Sequence, residues 1–357
     1  EDPQRPSTTL LRPTCPSWTP RSVRTTNTDP PVRGATCYGG IKLPFGTDTQ
    51  WPAAGKLPEG FSPADRLALG QDPGFGLRAL QARGIDGRGV RIGIIDQPLL
   101  RDHQEYAHAL ERVESIGVEG VRPQMHGPAV ASVAVGRHCG VAPGARLTFI
   151  ALPMWKQDNA DYATALRHIL TLNGEARRPE DRVRVVSISY GGFRGRPDFD
   201  RWQAALQQAE GADVLVLTCD GSHRPYGTLS RRPLAPPDDP ASYVAGAHTQ
   251  RGAPIAVPIG YRTLAGHEAK DQYFLDPKGG RSWGAPYLAG LAALAFQVHP
   301  DLGPEQAWKL MTETARNTDA GAVPDPSSMV AAAQRVTQTP WRTSSARPSA
   351  TWQPGSV

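Results

Sequence analysis

The segment Gly279-Gly280-Arg281-Ser282-Trp283-Gly284-Ala285-Pro286 sets a serine among glycines, directly before the apolar run Tyr287 to Val298. A serine hydroxyl attacks a carbonyl only when it is exposed and a base takes its proton. Flanking glycines let the backbone come close to a substrate, and a helix that follows aims free N–H groups back at the site. Such a nucleophile needs a histidine and a carboxylate in matching settings, and the chain holds both. His126 opens the small-residue run Gly127 to Gly136, whose proline at the second position suits a helix start. Asp96 closes the apolar run Val90-Arg91-Ile92-Gly93-Ile94-Ile95-Asp96. In parallel α/β sheets, functional groups gather at the carboxyl ends of strands.

The elements that would position these three side chains follow from pattern. Val90 to Asp96 reads as a buried parallel strand, and Leu147 to Leu152, Val183 to Ser189 and Asp213 to Thr218 read the same way. Helices are expected over Ala160 to Asn173 and Asp198 to Ala209, with a closing helix from Gly303 to Arg316. Strands alternating with helices of this length point to a mostly parallel sheet covered on both faces. Ala64 to Leu69 and Gly76 to Gln81 read as short helices. Between Gly221 and Asp276 the pattern is loop-rich, with strands expected only at Tyr243 to Ala247 and near Ile255 to Val257. Residues 1–65 are rich in Pro, Thr, Ser and Arg without a sustained period, and read as an N-terminal arm. Residues 66–335 form the expected catalytic domain, and 336–357 a disordered tail.

Bulk properties narrow the function. A chain of 357 residues can bury a full core. A net charge of +5, without a long run of like charges, argues against a nucleic-acid arm. The apolar stretch Leu288 to Val298 is too short to span a bilayer, so no membrane role is expected. The four cysteines, Cys15, Cys37, Cys139 and Cys219, lack metal-ligand spacing. A Cys15–Cys37 disulfide would fit an oxidising compartment, and four free thiols fit equally. The chain opens on Glu1-Asp2-Pro3 with no leader, as a processed chain would, so a secreted or extracytoplasmic location is expected and a cytoplasmic one stays open.

Asp96, His126 and Ser282, in that order and in those settings, give the chain a resemblance to the subtilisin-like serine peptidases, the subtilases. Gly89 to Asp96 resembles the family's aspartate motif. His126 to Gly136 resembles its histidine motif, and Gly140-Val141-Ala142-Pro143-Gly144-Ala145 the usual sequel. Ser187-Ile188-Ser189-Tyr190-Gly191-Gly192 resembles the substrate-binding strand, and Gly280 to Leu294 the serine motif. Asp96-Gln97, His126 to Ala131 and Gly279 to Tyr287 are similar to an atypical bacterial branch with a Gly-Gly-x-Ser-Trp serine motif. The resemblance covers about residues 75–335 and implies a three-layer α/β/α domain with a mostly parallel central sheet. It further implies that Ser282 attacks the scissile peptide bond, His126 acts as base and acid, and Asp96 holds the imidazole. Ser189, Tyr190 and Gly191 would pair with the backbone of a polypeptide substrate.

Two departures stand out. Asp220 best matches the asparagine that the family places in the oxyanion hole. A carboxylate repels an oxyanion, and losing one donor there costs about 3 kcal/mol in barrier. With a reference pKa of about 3.9, Asp220 could donate only at acid pH or with a strongly raised pKa. The Ser282 backbone N–H would remain. The second departure is Gln97-Pro98, where most subtilases carry Thr/Ser-Gly. Trp283 stands where Met or Leu is usual.

The remaining chemistry-bearing residues read as structural. His103 is expected to be structural, as are His138, His168, His223, His248, His267 and His299. Cys219 reads as a small buried side chain rather than a nucleophile. Asp238-Asp239 and Asp271 to Asp276 lack an alternating oxygen-ligand loop, so no cofactor or metal is expected, structural calcium being the one candidate. Gly280-Arg281-Ser282-Trp283-Gly284 also matches the nucleophile elbow of α/β hydrolases, but that fold needs an acid and then a histidine after the serine, and only His299 follows. The expectation is a serine endopeptidase. Its rival is a subtilase-fold protein that binds or regulates without efficient cleavage, and oligomeric state is not legible.

Overall fold

Arg91–Asp96 (β2) is buried along nearly its whole length, because parallel neighbours pair with it on both sides and helices cover both faces. The computed structural model describes residues 44–336 except 54, 55, 58, 221, 222 and 249–251. Cys15, Cys37, the first 43 residues of the arm and residues 337–357 of the tail lie outside the described residues. In chain order the elements before and after β2 are Phe45–Gly46 (β1), Pro63–Gln71 (α1), Leu77–Ala82 (α2), Leu110–Ser115 (β3), His126–Val135 (α3) and Arg146–Ala151 (β4). Asn159–Glu175 (α4), Val183–Ile188 (β5), Phe199–Gly211 (α5) and Leu215–Thr218 (β6) follow. Five short strands come next: Gly227–Arg231 (β7), Tyr243–Ala245 (β8), Ala256–Gly260 (β9), Arg262–Ala265 (β10) and Tyr273–Asp276 (β11). The chain ends on Gly284–Val298 (α6), Pro304–Glu313 (α7), Arg316–Thr318 (β12), Gly321–Val323 (β13) and Pro326–Arg335 (α8).

The central sheet has five parallel strands in the order β3-β4-β2-β5-β6. Helices α4 and α5 pack on one face, and α3 and α6 on the other, giving three layers, α/β/α. Side chains alternate across a strand, so Ile92 and Ile94 join the core under α3 and α6 while Ile95 joins the core under α4 and α5. The same alternation turns Asp96 to the face that carries α3 and α6. Gly93 lies against Val183, Ile169 and Val186, where a Cβ would come within 3.0–3.2 Å.

The structure departs from the pattern reading in three places. Segment 221–276 is not mainly loop: it holds β7 to β11, grouped as β8-β7-β9 and β1-β11-β10. These strands are three to five residues long, and β7, β9 and β10 are almost wholly buried, so no polar–apolar alternation advertises them. The edge strand β3 reads Leu-Glu-Arg-Val-Glu-Ser, and such charges, which protect an edge from unwanted pairing, hide it from a search for apolar runs. The closing helix stops at Glu313 instead of reaching Arg316. Thr318 accepts from the Ala320 N–H and donates to the Gly321 carbonyl, closing the β12–β13 hairpin with Gly321 at φ +113°.

The described residues before α1 pack on the domain. Phe45 and Gly46 pair with β11, and Phe45, Trp51 and Phe61 form an aromatic cluster with centroids 5.2–6.4 Å apart. Ser62 then caps α1, accepting from the Asp65 N–H at 3.2 Å.

Candidate active site

Asp96 is fully buried at the carboxyl end of β2, and His126 is the first residue of α3. The His126 Nδ1–H donates to Asp96 Oδ1 at 2.7 Å. The same oxygen accepts the Gln97 backbone N–H at 2.8 Å, so the bond that orients the acid does not depend on the Gln97 side chain. Asp96 Oδ2 is buried without a hydrogen-bond partner among the described residues. Burial alone would push the His126 pKa down, but the Asp96 charge and hydrogen bond outweigh it and hold the imidazole above its ordinary value.

The close approach of the α3 start to the chain after β2 requires a glycine. A Cβ on Gly127 would lie 2.2 Å from the Gln97 carbonyl oxygen. With Gly127 bare, the imidazole reaches Asp96. Pro128 fits just inside the helix, where its missing N–H costs nothing.

Ser282 sits in the tight helical turn Arg281–Trp283 that runs straight into α6. Three contacts hold this turn. The Ser282 carbonyl accepts from the Ser189 hydroxyl at 3.1 Å, the Arg281 carbonyl accepts from the Tyr226 hydroxyl at 2.9 Å, and the Trp283 indole N–H donates to Asp276 Oδ2 at 2.9 Å. Asp276 Oδ1 also accepts the Lys278 and Gly279 N–H groups, so one carboxylate shapes the approach to the serine. Gly279 has φ +70°, and a Cβ there would meet the Ile259 carbonyl oxygen at 2.2 Å. The Trp283 ring lies 5.0 Å from the His126 ring, so the residue after the serine packs on the histidine. Trp283 therefore packs the start of α6 against the imidazole of His126.

Ser282 opens onto a cleft of about 440 Å³. Ser189, Tyr190, Gly191 and Gly192 form one wall, Cys219 and Asp220 another, and Met154, Gln157, Tyr162 and Phe193 the far end, with Arg281 beside the serine. The Cys219 N–H donates to the Tyr190 carbonyl at 3.0 Å, which carries the β5–β6 pairing past the ends of both strands. Gly191 faces Asp220: a Cβ on it would lie 3.5 Å from Asp220 backbone atoms. Tyr190 contributes its backbone, because its ring turns inward, stacks on Tyr162 with centroids 3.8 Å apart and bonds Asn159 at 2.7 Å. Asp220 lies on the cleft, while the next two residues lie outside the described ones. Arg281 donates to the Cys219 and His248 carbonyls, and its guanidinium lies 4.3 Å from the Tyr226 ring centroid.

Pattern reading did not single out Tyr226, Asp276 or Arg281, which shape the serine turn. Their only sequence signal is the unusual arginine beside the serine. Cys219 is half-buried at the cleft, and desolvation pushes its thiol pKa up, against the pull of Tyr226, so it is no thiolate nucleophile. His103 has both ring nitrogens engaged: Nδ1 accepts the Glu105 N–H and Nε2 donates to the Gln272 carbonyl at 2.8 Å. Asp238 and Asp239 cap backbone N–H groups of Gly76 and Ala241. Among the described residues no cluster of three or more His, Cys, Asp or Glu side chains is arranged to hold a metal, and no helix is long and apolar enough to cross a membrane.

This geometry agrees with what the chain resembles. The subtilase family model matches residues 87–258, a span that includes Asp96 and His126. The chain is 27% identical over 266 residues to the subtilisin-like protease PopC of Myxococcus xanthus, covering 64% of this chain and 55% of that one. It is also 27% identical over 281 residues to a probable subtilase-type serine protease of Deinococcus radiodurans, covering 65% and 37%. The chain thus spans about half or less of the length of these curated relatives. In fold it matches a cold-adapted subtilisin-like serine proteinase with TM-score 0.52 at 18% identity, over 67% of this chain and 89% of that one. It matches the subtilase of the cytotoxin SubAB assembly with TM-score 0.57 at 16% identity, over 76% and 97%. Sheet order, the aspartate–histidine pair and these likenesses point one way: in sequence and in fold the chain resembles the subtilases.

Proposed function

We propose that the protein is a serine endopeptidase that cleaves polypeptides with Ser282, His126 and Asp96. The observation that carries this reading is the 2.7 Å bond from His126 to the buried Asp96, with Ser282 on the cleft wall and Trp283 against the imidazole. A substrate strand laid along Ser189 to Gly191 would present its carbonyl to Ser282. Ser282 Oγ attacks the carbonyl carbon as His126 Nε2 takes its proton. The imidazolium then protonates the leaving amine, and a water repeats the sequence on the acyl-enzyme. Asp96 fixes the imidazole with Nδ1 protonated and stabilises its charge throughout. The Ser282 N–H, at the entry to α6, is one donor to the oxyanion. Asp220 lines the same cleft, and its carboxylate would oppose the oxyanion where an amide would donate to it. A site of action outside the cytoplasm fits this reading.

The test is labelling with a fluorophosphonate serine probe from pH 4 to 9, with Ser282→Ala as control. Labelling of the wild-type chain and none of the variant is the expected result. Equal labelling of both would overturn the assignment of Ser282. No labelling at any pH would favour the second reading, a binding or regulatory subtilase fold, for which the carboxylate of Asp220 on the cleft is the motivating observation.

A further inference from the structure

We propose that the protein binds a small monatomic anion, of the chloride type, between Arg66 and Arg231, in a pocket that shares no residue with the cleft. Arg231 ends β7 and is only 5% exposed. One of its terminal nitrogens donates to the Leu69 and Tyr261 carbonyls, both at 3.0 Å, and its Nε is buried with no partner. Arg66, on α1, places its guanidinium 5.5 Å from the Phe61 ring centroid. Neither arginine has a carboxylate within ion-pair distance among the described residues. Arg262, 3% exposed, adds a further buried cation nearby, bonded to the Cys139 carbonyl rather than to an acid. Asp72, the one acid that acts on Arg231, has an oxygen engaged by the Gly74 N–H.

A cation out of water without a counter-charge costs several kcal/mol, and such groups are normally paired. Here no described residue supplies the pairing group. The pocket is walled by Phe45, Phe61, Leu275 and Tyr261, with the 56% exposed Leu234 at its rim. It holds about 10 Å³ of space, enough for one water-sized sphere. A neutral water there could accept from Arg231 but would bring no charge to offset the guanidiniums, whereas an anion does both. The polar walls left are guanidinium donors, which suit an acceptor with negative charge. Tetrahedral oxyanions exceed the space, leaving a halide-sized ion.

The experiment is ³⁵Cl NMR line-broadening on the full chain as chloride is titrated, with Arg66→Met and Arg231→Met compared. Crystals grown in bromide would add an anomalous map. Broadening should saturate in the wild type, and weaken about tenfold in affinity in Arg66→Met, the worth of one charge-assisted hydrogen bond. One bromide peak should lie between the two guanidiniums. Arg231→Met also removes two carbonyl contacts that hold the fold; Arg66, whose side chain makes no hydrogen bond among the described residues, supplies the variant that keeps the test decisive. Ser282→Ala should bind chloride as the wild type does, whether or not the chain is a peptidase. Absence of saturable broadening, equal broadening in Arg66→Met, or a bromide map without a peak at this pocket would each overturn the proposal.

Discussion

At the scale of single residues, the His126–Asp96 pair decides the pH dependence. Proton transfer from Ser282 needs neutral imidazole, and Asp96 raises the His126 pKa above its usual 6.5. The rising limb of kcat/KM should therefore lie above pH 6.5. Asp96→Asn should move that limb to lower pH and reduce kcat by about 10⁴-fold; a limb that stays in place would show that another group controls it. The sign for stability runs the same way. A pKa raised by folding contributes stability that is fully present below 6.5 and is lost as pH climbs through the folded value. Asp220 gives a second residue-scale prediction. If its carboxylate opposes the oxyanion, Asp220→Asn should raise kcat at neutral pH, by up to about 10²-fold. Unchanged rates at pH 7 and pH 5 would remove Asp220 from the oxyanion site.

At the scale of elements, the site depends on how closely α3 and α6 approach the ends of β2 and β5. Gly127 is one of the tightest points, since a Cβ would overlap the Gln97 carbonyl, and backbone cannot move aside as a flexible side chain could. Gly127→Ala should push the first turn of α3 off Asp96. We expect at least about a 10²-fold loss of kcat/KM, the size of penalty that a shift of about 1 Å imposes, with secondary structure by circular dichroism retained. Activity within twofold of wild type would mean that the α3 start absorbs the overlap elsewhere.

At the scale of the whole molecule, one buried carboxylate joins segments distant in sequence. Glu105 is fully buried and accepts from the His138 N–H and the Cys139 N–H, both at 2.6 Å, from the Tyr273 hydroxyl at 2.8 Å and from His138 Nδ1 at 3.0 Å. It thereby ties the chain after β2 to the end of α3 and to β11. Removing the acceptor orphans several buried donors, each at about 1–3 kcal/mol. Glu105→Ala should lower unfolding free energy in urea by about 3 kcal/mol or more, and Tyr273→Phe by about 1 kcal/mol. A cost for Glu105→Ala below that of Tyr273→Phe would show that these donors find other partners.

The sequence by itself determined the parallel sheet, its two helical faces and the three residues of the proposed triad. Those features rest on local signals: a buried strand ending on an acid, a histidine opening a small-residue helix, and a serine between glycines before an apolar one. Each can be read within about ten residues. The short buried strands β7 to β11 and the charged edge β3 were not legible, because burial on both faces erases alternation and an edge strand may carry any pattern that solvent tolerates. Only the tertiary structure brought Asp276 to the Trp283 indole, Tyr226 under Arg281, and Glu105 to Tyr273. Such pairings join residues from 7 to 168 positions apart, through hydrogen bonds that leave no period in the chain. It also set Arg66 and Arg231 about one pocket, from a helix and a strand that share no local pattern. Composition records two arginines, but the fold decides that they line one pocket with no ion-paired acid among the described residues.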